Sequence, residues 1–486
     1  MLATEIDTHK EVVNRLATEH GIEPSVWVGK ENLIPFVRES FPECAILDKN
    51  ELIAGVHESG RSLSMSDLVE LSSYWESVEF RDQRINLLEE FNRYPTLDNL
   101  RTLDREVILR TLQIEIFSAM KDKSPDFLLA LDVPHNPVNL AAFYLAKWLG
   151  IPPLFFSGTG MLAPSLIPST DIGVFTQAPL LVGQPESDRE KAAVEFNRNL
   201  ASETLKQLQK RTEIHWQTYE KDRVREHKPR RFQRVNVLKE KIRRQLLHLT
   251  DKKTAVLSDV LDRNYCRLLK AHSTLPISSQ LPRHGLFTLH FQPEASALPM
   301  GLGDTFQAEA ILKARRILPA DTVLLVKEHP SQLKNTMEGS FGRSPLFYNF
   351  IDSLPNTEMI SAFSETSKLL EKTELVFTLT GSIGIEASIR GIPVVYFGGP
   401  WWAGLPGTFH ANEPNLLKKI DSYVAPAFDA ISNYLVNLVE TSSIPGFSDS
   451  GTRDYWSERK NPPDEFQQAF VDRLARSIWS FVSRVQ

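Results

Sequence analysis

Leu375-Val376-Phe377-Thr378-Leu379-Thr380-Gly381-Ser382-Ile383-Gly384-Ile385-Glu386-Ala387 is the stretch that decides the fold of this 486-residue chain. An apolar run of strand length, 375–380, meets a turn of small residues and then a helix over 382–390, closed by Gly391. The same alternation repeats outward. Strands are expected at 285–291, 322–329 and 393–397, and helices at 306–318 and 365–372. Continuously apolar strands between helices are those of a parallel sheet covered on both faces, so this part reads as a Rossmann-like domain. In the first half, a helix ending at Gly21 precedes short strands at 26–28 and 45–47, and 64–120 is mostly helical in pattern. A strand at 126–131, a helix at 139–150 and a strand at 154–156 then form a βαβ unit. The expectation is an α/β chain of two Rossmann-like domains, with parallel sheets facing across a cleft. Ligands of such sheets bind beyond the carboxyl ends of the strands.

Hydrophobic residues make up 42% and charged residues 24%, the balance of a folded globular protein. Lys and Arg total 55 against 61 Asp and Glu, a net charge of -6 that offers no global field for nucleic acid. The two cysteines, Cys44 and Cys266, stand outside any C-x-x-C arrangement, which argues against a disulfide framework or a Cys-based zinc site and for a reducing compartment. The most apolar long stretch, 140–156, carries Lys147 and a Pro152–Pro153 break and is too short to span a bilayer. With no basic-then-apolar leader at the N-terminus, a cytoplasmic location is expected. Around 186–272 the pattern changes to long charged helices, and 221–244 holds eleven Lys or Arg against three acids. That face is either solvated or, through 221–246, a peripheral contact with the anionic inner face of a membrane.

Four elements of the second half fall on one rim. The strand over 322–329 runs into Lys327-Glu328-His329-Pro330, which puts a cation and an imidazole at its carboxyl end. His329 can meet a phosphate or be satisfied by backbone carbonyls. At Thr380-Gly381-Ser382 the hydroxyls can donate and helix-start amides attract an anion, a phosphate cradle; alternatively Ser382 only caps the helix. Glu386, one turn further, can accept from ribose hydroxyls or complement the helix dipole. His290-Phe291-Gln292-Pro293-Glu294 offers Gln292 and Glu294 to the cleft. Trp401-Trp402, in a glycine-rich loop, can stack on a base or sugar or be packed inward. In the first half, Asp132 and His135 end a central strand and are candidates for taking a proton from an acceptor hydroxyl, against the reading of a turn-forming Asp and a solvent-facing His. Gly158-Thr159-Gly160 has the look of a dinucleotide fingerprint but lacks its context, with Pro164 following at once.

No D-x-D pair, P-loop, G-x-S-x-G elbow or H-E-x-x-H helix is present, which removes kinase, hydrolase and zinc-protease readings. No metal site and no cofactor are expected. Charge on a leaving group would then be neutralised by amides, hydroxyls and a histidine or lysine.

Leu289-His290-Phe291-Gln292-Pro293-Glu294, Lys327-Glu328-His329-Pro330 and the stretch from Gly381 through Gly391-Ile392-Pro393-Val394 together resemble the bacterial capsule and surface-polysaccharide glycosyltransferases of GT-B architecture. These include Kdo transferases and share a His-Pro motif with bacterial sialyltransferases. The resemblance implies that His329, Thr380 and Ser382 hold the phosphates of a nucleotide-sugar donor; Lys327, Gly381, Glu386 and Gln292 are expected beside them, with Glu294 or Gln292 facing the transferred group. It also implies an acceptor domain over 1–275 that includes the basic helical insertion, a nucleotide-sugar domain over 284–455, and a final helix in 456–486 packing back on the first domain. The partners expected are the donor and a glycan or glycolipid acceptor. Three other readings share these residues: a CDP-polyol phosphotransferase of teichoic-acid type, a nucleotide-sugar 2-epimerase, and a non-catalytic assembly protein with a degenerate transferase fold.

Overall fold

The computed structural model describes residues 7–29, 33–55, 63–94, 101–210, 282–292, 297–304, 306–333, 342–362, 364–447, 456, 460, 462–463 and 465–485. The basic stretch 221–246, Cys266 and Glu294 lie outside these.

In the first half, β1 (Val26–Gly29) and β2 (Ala45–Asp48) form a parallel pair. A second sheet joins β3 (Leu128–Ala130), β4 (Pro153–Gly158) and β5 (Ser165–Ser169). The βαβ unit is there: β3 and β4 run parallel, connected by the helix Pro137–Trp148, which Asn136 caps by accepting from Asn139 N at 2.9 Å. β5 departs from an all-parallel sheet. It turns back antiparallel on β4, with Thr159 Oγ1 donating to Ala163 O at 2.8 Å across the turn. Gly158-Thr159-Gly160 is therefore a hairpin corner with no helix after it, the wrong context for a dinucleotide fingerprint.

The second half holds β6 (His284–Thr288), β7 (Val323–Lys327), β8 (Thr357–Ile360), β9 (Thr373–Thr378), β10 (Val394–Tyr396) and β11 (Thr408–His410), while β12 (Ile444–Pro445) returns antiparallel to β5. The six strands lie in the order β11-β10-β9-β6-β7-β8, every pair parallel. Counted from β6 this is 3-2-1-4-5-6, the doubly wound order. Alternate side chains feed two cores, as the two-residue strand period requires. Leu286, Leu325, Val376 and Val394 pack with the helices Ile383–Ile389 and Phe428–Ser442. Phe287, Val326, Phe377 and Val395 pack with Gln307–Ile317 and Pro345–Asp352. The order in which strands are added reverses between β6 and β9, so the crevice for a ligand opens at their carboxyl ends.

Two helices tie the halves together. Asp188–Gln209 places Leu200 and Leu205 in the core that holds Val376 and Ile431, and its Asn197 donates to Pro164 O at 2.8 Å. Phe466–Val485 lays Phe470, Leu474, Ile478 and Phe481 against Leu129, Leu154 and Val12 of the first half. Its charges are matched by Arg189 to Asp472 at 2.6 Å and Arg476 to Glu186 at 2.8 Å. A third contact is backbone on backbone: a Cβ at Gly173 would stand 2.9 Å from Gly399 Cα, and one at Gly399 would overlap Gly173. Gly399→Ala is therefore expected to force the two loops apart at a cost of about 1–3 kcal/mol. Thermal unfolding reads this directly; an unchanged midpoint would mean that the loops do not meet in solution.

Candidate active site

β6 ends at Thr288, and Leu289 leads to His290; β9 ends at Thr378, and Leu379 leads to Thr380. Because β6 and β9 are neighbours, His290 lies against the Thr380 turn. Its Nε2 accepts from Thr380 N–H at 3.2 Å and lies 3.4 Å from Thr378 Oγ1. Accepting there leaves Nε2 without a proton and makes Nδ1 the ring's donor in its neutral form. Thr378 Oγ1 in turn accepts from Gly381 N–H at 3.1 Å. Two of the amides expected to cradle phosphate, those of Thr380 and Gly381, are thus spent inside the protein. Gly381 is a glycine for packing: a Cβ would lie 2.7 Å from Thr378 Oγ1 and 3.4 Å from His290.

The donors at this turn are the hydroxyls. Ser382 is exposed at the start of the helix Ile383–Ile389 and its side chain does not cap it, so the capping role is not the one it plays. Neither Gly384 nor Trp402 faces a ligand. Trp402 is fully buried, and a side chain at Gly384 would overlap its ring. Stacking on a base is excluded for Trp402, while Trp401 is only partly buried. Glu386 is 9% exposed, mostly enclosed in the helix's inner face.

One strand further along the rim, β7 delivers the Lys-Glu-His-Pro segment. Lys327 is only 8% exposed, held in the ladder between Thr288 and Ile360, so it is a buried cation and not an open one. Glu328 is completely buried. Its carboxylate accepts from Tyr348 Oη at 2.8 Å, Arg343 Nε at 3.3 Å and His329 N at 2.7 Å. Arg343 also donates to His290 O at 2.9 Å and stacks 4.4 Å from the Phe347 ring. Gly342 permits this, since any side chain there would overlap the backbone of Gln292. One buried carboxylate therefore fixes both rim histidines. His329 Nδ1 accepts from Ser331 N–H at 3.2 Å, so neutral His329 carries its proton on Nε2 and can donate from it. His329 and Ser382 are two strands apart, about 10 Å at the usual spacing, with His290 between them.

Gln292 is 6% exposed and exchanges backbone hydrogen bonds of 2.8 Å with the Gln332 side chain, while its own Nε2 is buried without a partner. In the first half, Asp132 and His135 form a local turn. Asp132 Oδ1 accepts from Val133 N at 2.7 Å, Oδ2 lies 3.4 Å from His135 Nδ1, and His135 Nδ1 is 2.6 Å from Val133 O. The turn reading describes this geometry better than that of a carboxylate poised for an acceptor. His290, Glu328 and Arg343 were not singled out from the sequence. The first two stand inside quoted motifs, and the signal for them is adjacency of β6, β7 and β9, which only the strand order supplies.

Residues 301–437 match the family model described as capsule polysaccharide biosynthesis protein. The resemblance read from the sequence is borne out. No curated protein matches the chain. Among solved structures it is similar to a β-Kdo 2,7-transferase, KpsC, of Thermosulfurimonas dismutans, at 13% identity over 79% of this chain and 97% of that one, with a TM-score of 0.29. A β-Kdo 2,4-transferase of the same organism gives 15% identity, 63% and 86% coverage, and a TM-score of 0.26. The UDP-GlcNAc 2-epimerase of Methanocaldococcus jannaschii gives 15%, 93%, 96% and 0.23. Among the described residues no group of three or more His, Cys, Asp or Glu is placed to hold a metal ion, and no helix is long and apolar enough to cross a membrane.

Proposed function

We propose that this chain is a glycosyltransferase that moves a sugar from a nucleotide-sugar donor to a surface or capsular polysaccharide or glycolipid acceptor, without a metal ion. The observation that carries this reading is the β6–β9 switch point, whose rim brings His290, His329 and the Thr380–Ser382 turn onto three neighbouring strands. His329 Nε2 and the hydroxyls of Thr380 and Ser382 then meet the donor phosphates, and Glu386 lies toward the ribose. As the bond from the anomeric carbon to the phosphate oxygen breaks, its electron pair leaves on the nucleotide, and donors fixed beforehand stabilise that charge without reorganising. Glu328, Tyr348 and Arg343 do the fixing. The match of 301–437 to a capsule-biosynthesis family supports the acceptor class.

Incubation with a panel of UDP-, GDP-, CMP- and CDP-linked sugars, with capsular oligosaccharide present, tests this reading. A transferase releases one free nucleotide per bond formed, whereas a 2-epimerase releases none in steady state. Release of CMP from a CDP-polyol would instead favour the polyol phosphotransferase. No release from any donor contradicts the proposal.

A further inference from the structure

Past Leu289, whose N–H donates to Lys327 O at 2.9 Å, the β6 segment leaves the ladder and side chains take over its backbone. Gln307, 1% exposed at the start of the helix Gln307–Ile317, accepts from His290 N–H at 2.8 Å and donates to His290 O at 3.3 Å. Arg343 is a second donor to that carbonyl, at 2.9 Å. A side-chain amide that both donates and accepts stands in for the missing strand. Two buried polar side chains thus hold the backbone of one rim residue, and with it the place of its ring.

The ring reaches across to the turn after β9. Its Nε2 accepts from Thr380 N–H at 3.2 Å, while Thr378 Oγ1 accepts from Gly381 N–H at 3.1 Å. The Thr380 methyl packs against the loop after β10, since a Cβ at Gly398 would come within 2.9 Å of it. With amide and methyl both committed, the hydroxyl is the branch of Thr380 left over. Among the described residues neither it nor the Ser382 hydroxyl has a hydrogen-bond partner.

We propose that His290 is a positioning residue: its imidazole pins the turn in the conformation that presents the Thr380 and Ser382 hydroxyls to the donor phosphates. This rests on the transferase reading. Without the pin the free chain samples other turn conformations, and nucleotide binds only the fraction that is correctly formed, so apparent affinity falls by that fraction. One hydrogen bond of this kind is worth about 10-fold in the population. Once the nucleotide is seated the turn is in place, so the chemical step is little altered.

The test compares His290→Gln with His290→Asn. The glutamine amide oxygen reaches the position of Nε2, whereas that of asparagine stops at the position of Nδ1 and leaves Thr380 N–H without an acceptor. Both variants and wild type are measured by amide hydrogen exchange across 378–382, by calorimetric titration with CMP, UDP, GDP and CDP, and by nucleotide release from the sugar-donor panel. His290→Asn is expected to exchange about 10-fold faster at the turn and to lose about 10-fold in nucleotide affinity and donor KM, with kcat near that of wild type. His290→Gln should recover most of each loss. Equal behaviour of the two variants overturns the assignment, as does a loss in kcat with KM unchanged, which would put His290 at the reacting atoms. Unchanged exchange in His290→Asn overturns the pin whatever binds. A wild-type chain that binds none of the four nucleotides overturns the transferase reading and this role with it, and the exchange result then shows whether the pin itself exists.

Discussion

Replacing His329 by Ala is expected to lower turnover about 10²–10³-fold, the usual cost of removing one donor to developing negative charge. His329 is half-buried and outside the hydrophobic cores, so the unfolding midpoint should stay near that of wild type. Nδ1 of the ring accepts from Ser331 N–H, and the ring centroid lies 6.4 Å from that of Phe291. Both leave Nε2 as the donor in the neutral form. His329→Gln keeps an N–H at comparable reach and should recover part of the loss, whereas a variant restoring bulk alone should not. Steady-state release of nucleotide, with donor concentration varied, separates a loss in kcat from one in KM. Undiminished release by His329→Ala would remove this histidine from the reaction.

Glu328→Leu is expected to be the most destabilising single change at the rim, at about 3–5 kcal/mol, because it strands a buried cation. The Arg343 side chain is 4% exposed, and Glu328 is its carboxylate partner at 3.3 Å. The same change leaves Tyr348 Oη and His329 N without their acceptor. Removing both charges together, as Glu328→Leu with Arg343→Met, should recover much of the stability, since a well-packed apolar pair avoids the desolvation penalty. It should not recover turnover, because the His329 backbone loses the acceptor for its N–H and His290 O loses Arg343 as a donor. Urea unfolding of the single and double variants measures this; a loss below about 1 kcal/mol for Glu328→Leu would place the pair in the range of exposed ion pairs and deny it the anchoring role.

The second half was legible because its strands are unbroken apolar runs punctuated by helices, and 373–378, 383–389 and 394–396 fall where that alternation puts them. The position of the rim was legible for the same reason. What the residues on it do was less so. A glycine needed for close packing and one needed for a phosphate look identical in sequence, and Gly381 and Gly384 prove to be of the first kind, answering to Thr378 and Trp402. Lys327 reads as an open cation, but lies inside the fold because it sits in the ladder between Thr288 and Ile360. His290 was passed over for Gln292 and Glu294 since nothing local marks it; β6 meets β9 across almost ninety residues of chain, and only that pairing gives the histidine its partners. The hairpin return of β5 was missed because Pro164 and the small residues before it carry turn signals that a loop would share.

The central claim is that the carboxyl edge of β6, β7 and β9 holds the anionic part of a nucleotide. Calorimetric titration of the wild-type chain and of His329→Ala with CMP, UDP, GDP and CDP addresses it most directly. Saturable binding of one nucleotide at a single site, weakened by the substitution, is the predicted result. No heat with any of the four, or binding that is indifferent to His329, would contradict it.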